Sequence, residues 1–159
     1  MRRLCITFLV AAAASGCTPT VDLARTVTIT DIHTGWYDVG ILETGQNKLV
    51  PSISLKLQNM SSEPVARVQL NAIFHRVGET DGWGEHYVSA VDSNGLAPGS
   101  STNPIVLRST LGYTGDQSRA EMLQHESFVD ATVDIFGKQG RGNWVKLGEY
   151  PVDRQLLRQ

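Results

Sequence analysis

From Arg25 onward the chain alternates apolar and polar positions with a period of two, the pattern of strands that bury one face and solvate the other. Val27 and Ile29 against Thr28 and Thr30 predict a first strand. Trp36 to Leu42 predicts a second short strand or an extended loop, ended by Gly45-Gln46-Asn47. Ser52 to Gln58 is the clearest case, with Ile53, Leu55 and Leu57 apolar and the residues between them polar. Asn59 to Pro64 reads as a turn. Beyond it Ala66, Val68, Leu70, Ala72 and Phe74 share one face and Arg67, Gln69, Asn71 and His75 the other, so the two segments are expected to pair as an antiparallel hairpin.

A glycine-rich turn from Gly78 to Gly84 leads to a strand at Tyr87 to Val91, and Asp92-Ser93-Asn94-Gly95 turns the chain again. Ile105-Val106-Leu107 predicts a further strand. Ser118-Arg119-Ala120-Glu121 has the S-x-x-E form of a capping box, which predicts one short helix running to His125. Phe128 to Phe136 then alternates, with Val129, Ala131, Val133 and Ile135 on one side, and its partner is Trp144 to Tyr150 across the turn Gly137 to Gly142. Pro151 to Gln159 reads as a polar tail ending in a turn of helix. Seven to eight short strands at this spacing predict an all-β sandwich or barrel, and we favour the antiparallel sandwich.

The first residues follow a different pattern. Met1-Arg2-Arg3 is positive and Leu4 to Ala14 is apolar, a run with the length of a signal-peptide core and too short to span a bilayer. Ala14-Ser15-Gly16-Cys17 follows, and this segment resembles the lipobox of bacterial lipoprotein precursors, with Ala14 where the family usually carries a leucine. The resemblance implies cleavage between Gly16 and Cys17 and acylation of Cys17, whose two or three chains would give durable attachment where one holds only marginally. Thr18 after the cysteine resembles the signal for transfer to the outer membrane. The alternative is an ordinary secretory signal cut elsewhere, with Cys17 a free thiol. Residues 17–24, which include Pro19, read as a tether, and 25–159 as the folded domain.

Within that domain the segment Ile53 to Leu107 resembles the FxLYD type of bacterial immunoglobulin-like module. The features are a strand ending in Leu57-Gln58-Asn59, a second alternating strand from Val65 to Phe74, and the turn Leu96-Ala97-Pro98-Gly99. The FxLYD tetrad itself is absent. The resemblance implies an immunoglobulin-like sandwich and speaks to fold more than to function.

Composition narrows the function. Removal of residues 1–16 takes Arg2 and Arg3 away and leaves 12 basic against 16 acidic side chains, a balance of minus four that disfavours nucleic acid. Cys5 leaves with the signal and Cys17 goes to lipid, so thiolate metal sites and cysteine nucleophiles are excluded from the domain. His33, His75, His86 and His125 show no metal-ligand spacing; His75 reads as a surface residue and His125 as a helix cap. There is no G-x-S-x-G, and Asp130 and Asp134, about 13 Å apart along a strand, are too distant for a retaining acid and base pair. Gly137 to Gly142 lacks the G-K-[ST] ending of a phosphate loop and reads as a hairpin.

Aromatic side chains near turns are the remaining candidates, either as core cover or as recognition anchors. Trp83, Tyr87 and Tyr113 form the candidate recognition set, with Leu111 to Gln117 the favoured loop. The reading is therefore a non-enzymatic lipoprotein without cofactor or metal, facing the periplasm. Its expected partners are the bilayer, through its acyl chains, and another envelope protein. The alternative is a binder of a small ligand, sugar or metal.

Overall fold

The computed structural model describes residues 22–157, so Cys17, Gly16 and the signal lie outside the described residues. Two antiparallel sheets face each other. The first carries β1 (Val27–Ile41), β2 (Asn47–Asn59) and β5 (Ile105–Arg108) in the order β1-β2-β5, with the short β6 (Tyr113–Gly115) also on β2. The second is β4-β3-β7-β8, from β3 (Val68–Arg76), β4 (Gly84–Val91), β7 (Ala131–Gln139) and β8 (Val145–Val152). Consecutive strands that leave one sheet for the other, with β5 returning to β2 and β7 to β3, make this an immunoglobulin-like β-sandwich in which the fourth strand has joined the β3-β7-β8 sheet.

The core lies where the predicted apolar faces meet. Ile53, Leu55 and Leu57 of β2 oppose Val68, Leu70, Ala72 and Phe74 of β3 and Val133 and Ile135 of β7, all fully buried. These strands face one another across the interior, so the expected β2–β3 hairpin is replaced by a crossing between sheets. Period-two alternation fixes which face of a strand is buried, and two strands with matching faces can be neighbours in one sheet or opposed in two.

The crossing is organised by Asn59, the last residue of β2 and itself fully buried. Its Nδ2 donates to the carbonyls of Glu63 (2.8 Å) and Leu96 (2.9 Å), while its Oδ1 accepts from the Ser61 N–H (2.9 Å) and hydroxyl (2.7 Å). One side chain thereby joins the 59–67 turn to the Leu96-Ala97-Pro98-Gly99 turn.

The two first strands expected from the sequence are one. β1 is continuous, with Asp31 and Ile32 both opposite Leu55 and Asp31 at φ 50°. The extra residue of this bulge reverses the parity, so odd positions (Val27, Ile29) point inward before it and even ones (Thr34, Trp36) after it. Alternation read across 27–41 therefore appears broken although the strand is not.

Both ends of the described chain also differ from expectation. Leu23 sits in a single helical turn, α1 (Leu23–Thr26), with its side chain 3% exposed against the second sheet, so the last residues of the expected tether belong to the fold. Among its described residues the tail forms no helix. It pairs with the outer edge of β1, the Trp36 N–H donating to the Gln155 carbonyl (2.8 Å) and the Leu157 N–H to the Trp36 carbonyl (2.9 Å). Gly35 lies beneath it, where a Cβ would come within 2.9 Å of the Gln155 carbonyl oxygen.

The expected helix is α2 (Arg119–Gln124), with the capping box complete: the Glu121 N–H donates to Ser118 Oγ (3.4 Å) and the Ser118 N–H to Glu121 Oε2 (2.9 Å). The Ser118 hydrogen bonds hold the Glu121 carboxyl below the usual glutamate range, and those of Lys56 hold the Asp31 carboxyl low. A depressed carboxyl stabilises the fold fully above its unfolded-state pKa, and the contribution is lost as pH falls through the folded value. Thermal midpoints should therefore fall on acidification below the ordinary carboxylate range, and Glu121→Gln should flatten that fall. An acid limb as steep in the variant as in the parent would show that the capping box does not contribute.

Candidate functional site

The sandwich has two poles. One carries α1, the 59–67 turn, the 92–104 segment and the β7–β8 hairpin; the other carries the 42–46 and 77–83 turns and the long connection 109–130 with β6 and α2. Aromatic side chains gather at the second pole.

Trp36, turned inward by the β1 bulge, is fully buried at its base. Phe128 stands edge-on to it with ring centroids 4.5 Å apart, Tyr113 lies at 5.7 Å and Trp83 at 6.3 Å. Tyr113 joins the others, 4.8 Å from Phe128 and 5.0 Å from Trp83. Trp83 is positioned by its backbone N–H, which donates to the Phe74 carbonyl (2.7 Å), and by the Arg76 guanidinium 5.6 Å from its ring. The indole Nε1 of Trp36 is enclosed without a hydrogen-bond acceptor, an uncommon arrangement for a buried donor.

The loop before β6 closes on this cluster through Gly112. A Cβ there would stand 2.0 Å from the Leu49 carbonyl oxygen, so only glycine lets the chain lie flat on β2 and present Tyr113. Gly112→Ala should therefore push β6 off β2 and cost about 1–3 kcal/mol, the range for an overpacked site. Urea unfolding measures it, and an unchanged midpoint would mean that the loop yields freely.

Between β6 and α2 a cleft of about 210 Å³ opens, lined by Tyr113, Thr114, Gln117, Met122, His125 and Phe128, with Ser127 at its edge. Tyr113 Oη donates to the Val129 carbonyl (3.3 Å). His125 is the C-cap residue of α2, but its ring does not serve the last turn: Nδ1 accepts the Ser127 backbone N–H (3.2 Å), which puts the proton of the neutral imidazole on Nε2. The nitrogen nearest Ser127 is thus committed to backbone. Arg154 fixes the far wall, donating through Nη1 to the Leu123 carbonyl (3.2 Å), through Nη2 to Phe128 (2.9 Å), and pairing with Asp130. The cleft offers aromatic and thioether surface with an imidazole N–H at its rim, a chemistry suited to holding an apolar group with one acceptor.

Of the recognition residues expected from the sequence, Trp83 and Tyr113 meet here and Tyr87 does not. Tyr87 lies on the outer face of the second sheet, 54% exposed and edge-on to Trp144 at 6.0 Å. Gly112 to Gly115 is not a free loop, because Tyr113 to Gly115 pair with Asn47 to Leu49. Sequence reading missed Met122 and His125 as lining and Phe128 as part of the cluster. The available signal was Phe128, which is buried while the expected inward Val129 is exposed, a break of parity before β7.

The other candidate groups are dispersed. His75 is on the outer face of β3, with Nε2 3.7 Å from Asp134 and Nδ1 3.2 Å from the Asp81 carbonyl, and Lys146 also holds Asp134 (2.9 Å). His86 Nδ1 stands 2.9 Å from the Arg108 carbonyl oxygen and 3.2 Å from its backbone nitrogen, and so links β4 to β5. Glu85 and His86 share a groove with Tyr87, whereas Asp92 lines another with Arg67 and Arg141. Asp130 precedes β7 and Asp134 lies within it, each in its own ion pair. Gly137 to Gly142 belongs to the β7–β8 hairpin, with β7 continuing to Gln139. Among the described residues no three His, Cys, Asp or Glu side chains converge as a metal site, and no helix is long and apolar enough to cross a membrane.

No protein-family model matches the chain, and no curated protein is significantly similar to it. Among solved structures it is similar to the X-ray structure of a Northeast Structural Genomics Consortium target, SoR45, at 12% identity and a TM-score of 0.44, covering 82% of this chain and 88% of that one.

Proposed function

We propose that the chain is a bacterial envelope lipoprotein, held on the outer membrane through acylated Cys17 and facing the periplasm, that docks another envelope protein without performing chemistry. The observation that carries the docking role is the aromatic cleft at the pole remote from α1. A 13-residue strand such as β2 is about 43 Å long, so an anchor preceding Leu23 leaves this cleft displayed well away from the bilayer. The size of the cleft bears on the kind of partner. About 210 Å³ is below the ~300–1,000 Å³ of sites that enclose drug-sized molecules. It suits one apolar side chain projecting from a protein partner better than a whole sugar.

Crosslinking and recovery of the lipidated protein tests this reading. Capture of a specific envelope protein is expected, with loss of capture in Thr114→Arg, which sets a long cation at the exposed cleft rim. Failure to recover a specific partner under several crosslinking conditions would overturn it. A thermal midpoint raised by a sugar, small ligand or divalent ion would instead favour the ligand-binding alternative.

A further inference from the structure

We infer that the pole bearing α1 and the β7–β8 hairpin lies against the bilayer, with Trp144, Arg67 and Arg141 meeting phospholipid headgroups. The inference rests on the lipid-anchor reading above and adds an orientation and a contact surface to it. Reach is the first argument. Leu23 is the sixth residue after Cys17, so the acylated residue can stand no more than about 21 Å from the core even at full extension. Leu23 is fixed at the base of the hairpin, close enough that a Cβ on Gly137 would lie 2.9 Å from its Cδ2. The anchor therefore brings this pole, and not the cleft, to the membrane.

Charge is the second argument. The loops 22–26, 60–67, 92–104 and 140–144 at this pole hold Arg25, Arg67 and Arg141 against Asp22, Glu63 and Asp92, a balance of zero. The opposite segments, 42–46, 77–83, 109–130 and 153–157, hold eight acidic against two basic side chains, Arg119 and Arg154, a balance of minus six. An anionic bilayer repels the acidic pole and tolerates the neutral one, so its field favours the orientation that the tether imposes.

The surface at this pole is the third argument. Trp144 is 40% exposed in the hairpin, with the Lys138 ammonium 4.9 Å from its ring. An indole beside a lysine is the pairing that settles at the headgroup level of a bilayer. Met60, 60% exposed on the neighbouring turn, adds apolar surface. Arg67 and Arg141 line a groove of about 490 Å³ in which Asp92 is the one carboxylate, and the Gly140 N–H donates to the Arg67 carbonyl (2.9 Å), binding turn and hairpin into one face.

The test uses full-length lipidated protein in phosphatidylcholine vesicles, with or without phosphatidylglycerol, whose acyl chains are brominated to quench tryptophan. Trp144 should be quenched, so Trp144→Phe should lose most of the signal and Trp83→Phe should keep it. The double variant Arg67→Gln/Arg141→Gln should remove any increase of quenching with phosphatidylglycerol. Should Trp144→Phe fail to fold, Trp83→Phe and the arginine variant still decide. Quenching that is absent, or lost in Trp83→Phe, in protein whose Cys17 carries acyl chains by mass spectrometry would overturn the orientation alone. Protein without acyl chains on Cys17 would overturn the anchor and the orientation together.

Discussion

Replacing Trp36 with alanine is expected to cost the domain about 3–5 kcal/mol, the range for removing a buried tryptophan. The side chain is fully buried and is the shared neighbour of Phe128, Tyr113 and Trp83, so its loss opens a cavity beneath the cleft as well as removing apolar area. Trp36→Phe separates two contributions. The indole donor has no acceptor, so removing it relieves a desolvation cost of about 1–3 kcal/mol that offsets part of the lost packing. Phenylalanine should therefore cost much less than alanine in urea unfolding. A phenylalanine variant as unstable as the alanine one would mean that Nε1 does have a partner in solution.

Asn59→Ala is expected to cost about 3–4 kcal/mol. Two carbonyls each lose a hydrogen bond worth about 0.5–1.5 kcal/mol but keep a second donor, the Ser61 hydroxyl on Glu63 (2.8 Å) and the Val65 N–H on Leu96 (3.0 Å), while the Ser61 N–H is left unpaired at about 1–3 kcal/mol. Asn59→Asp keeps the shape and the acceptor for Ser61 but presents carboxylate oxygen to the carbonyls of Glu63 and Leu96. It should be no better than alanine. An aspartate variant as stable as the parent would show that the two carbonyl contacts are dispensable. A domain of this size has about 5–15 kcal/mol in all, so either residue carries a large share of it.

The same two residues show how far the fold was legible. Alternation identified the inward faces of β2, β3 and β7, although Ser52 on the expected solvated face of β2 is buried as well, and the Ser118 to Glu121 spacing identified the α2 cap. Those are local properties of the chain. Sheet membership is not: β2 and β3 read as a hairpin because Asn59 to Pro64 has turn composition, and the buried hydrogen bonds of Asn59 that carry the chain across to the other sheet are made with groups as far away as Leu96. The bulge at Asp31 and Ile32 hid the continuity of β1 by reversing its parity, and the tail was read as polar because its pairing uses backbone groups of Trp36.

The candidate site was half legible. Trp83 and Tyr113 stood out as aromatics near turns, and they do meet. Tyr87 has the same local character but belongs to a strand whose outward face is turned away from the cluster. Met122, His125 and Phe128 come to the cleft because Arg154, 26 residues beyond Phe128 in sequence, ties down the connection that holds them. No spacing within the segment itself carries that information.

The anchor remains the statement on which the proposed role depends, and the intact mass of the mature protein recovered from membranes tests it most directly. The account predicts a chain that begins at Cys17 and exceeds its 143-residue polypeptide mass by a glycerol and two or three acyl chains, with the increment abolished in Cys17→Ser. An N-terminus elsewhere, or Cys17 present as an unmodified thiol, would contradict it.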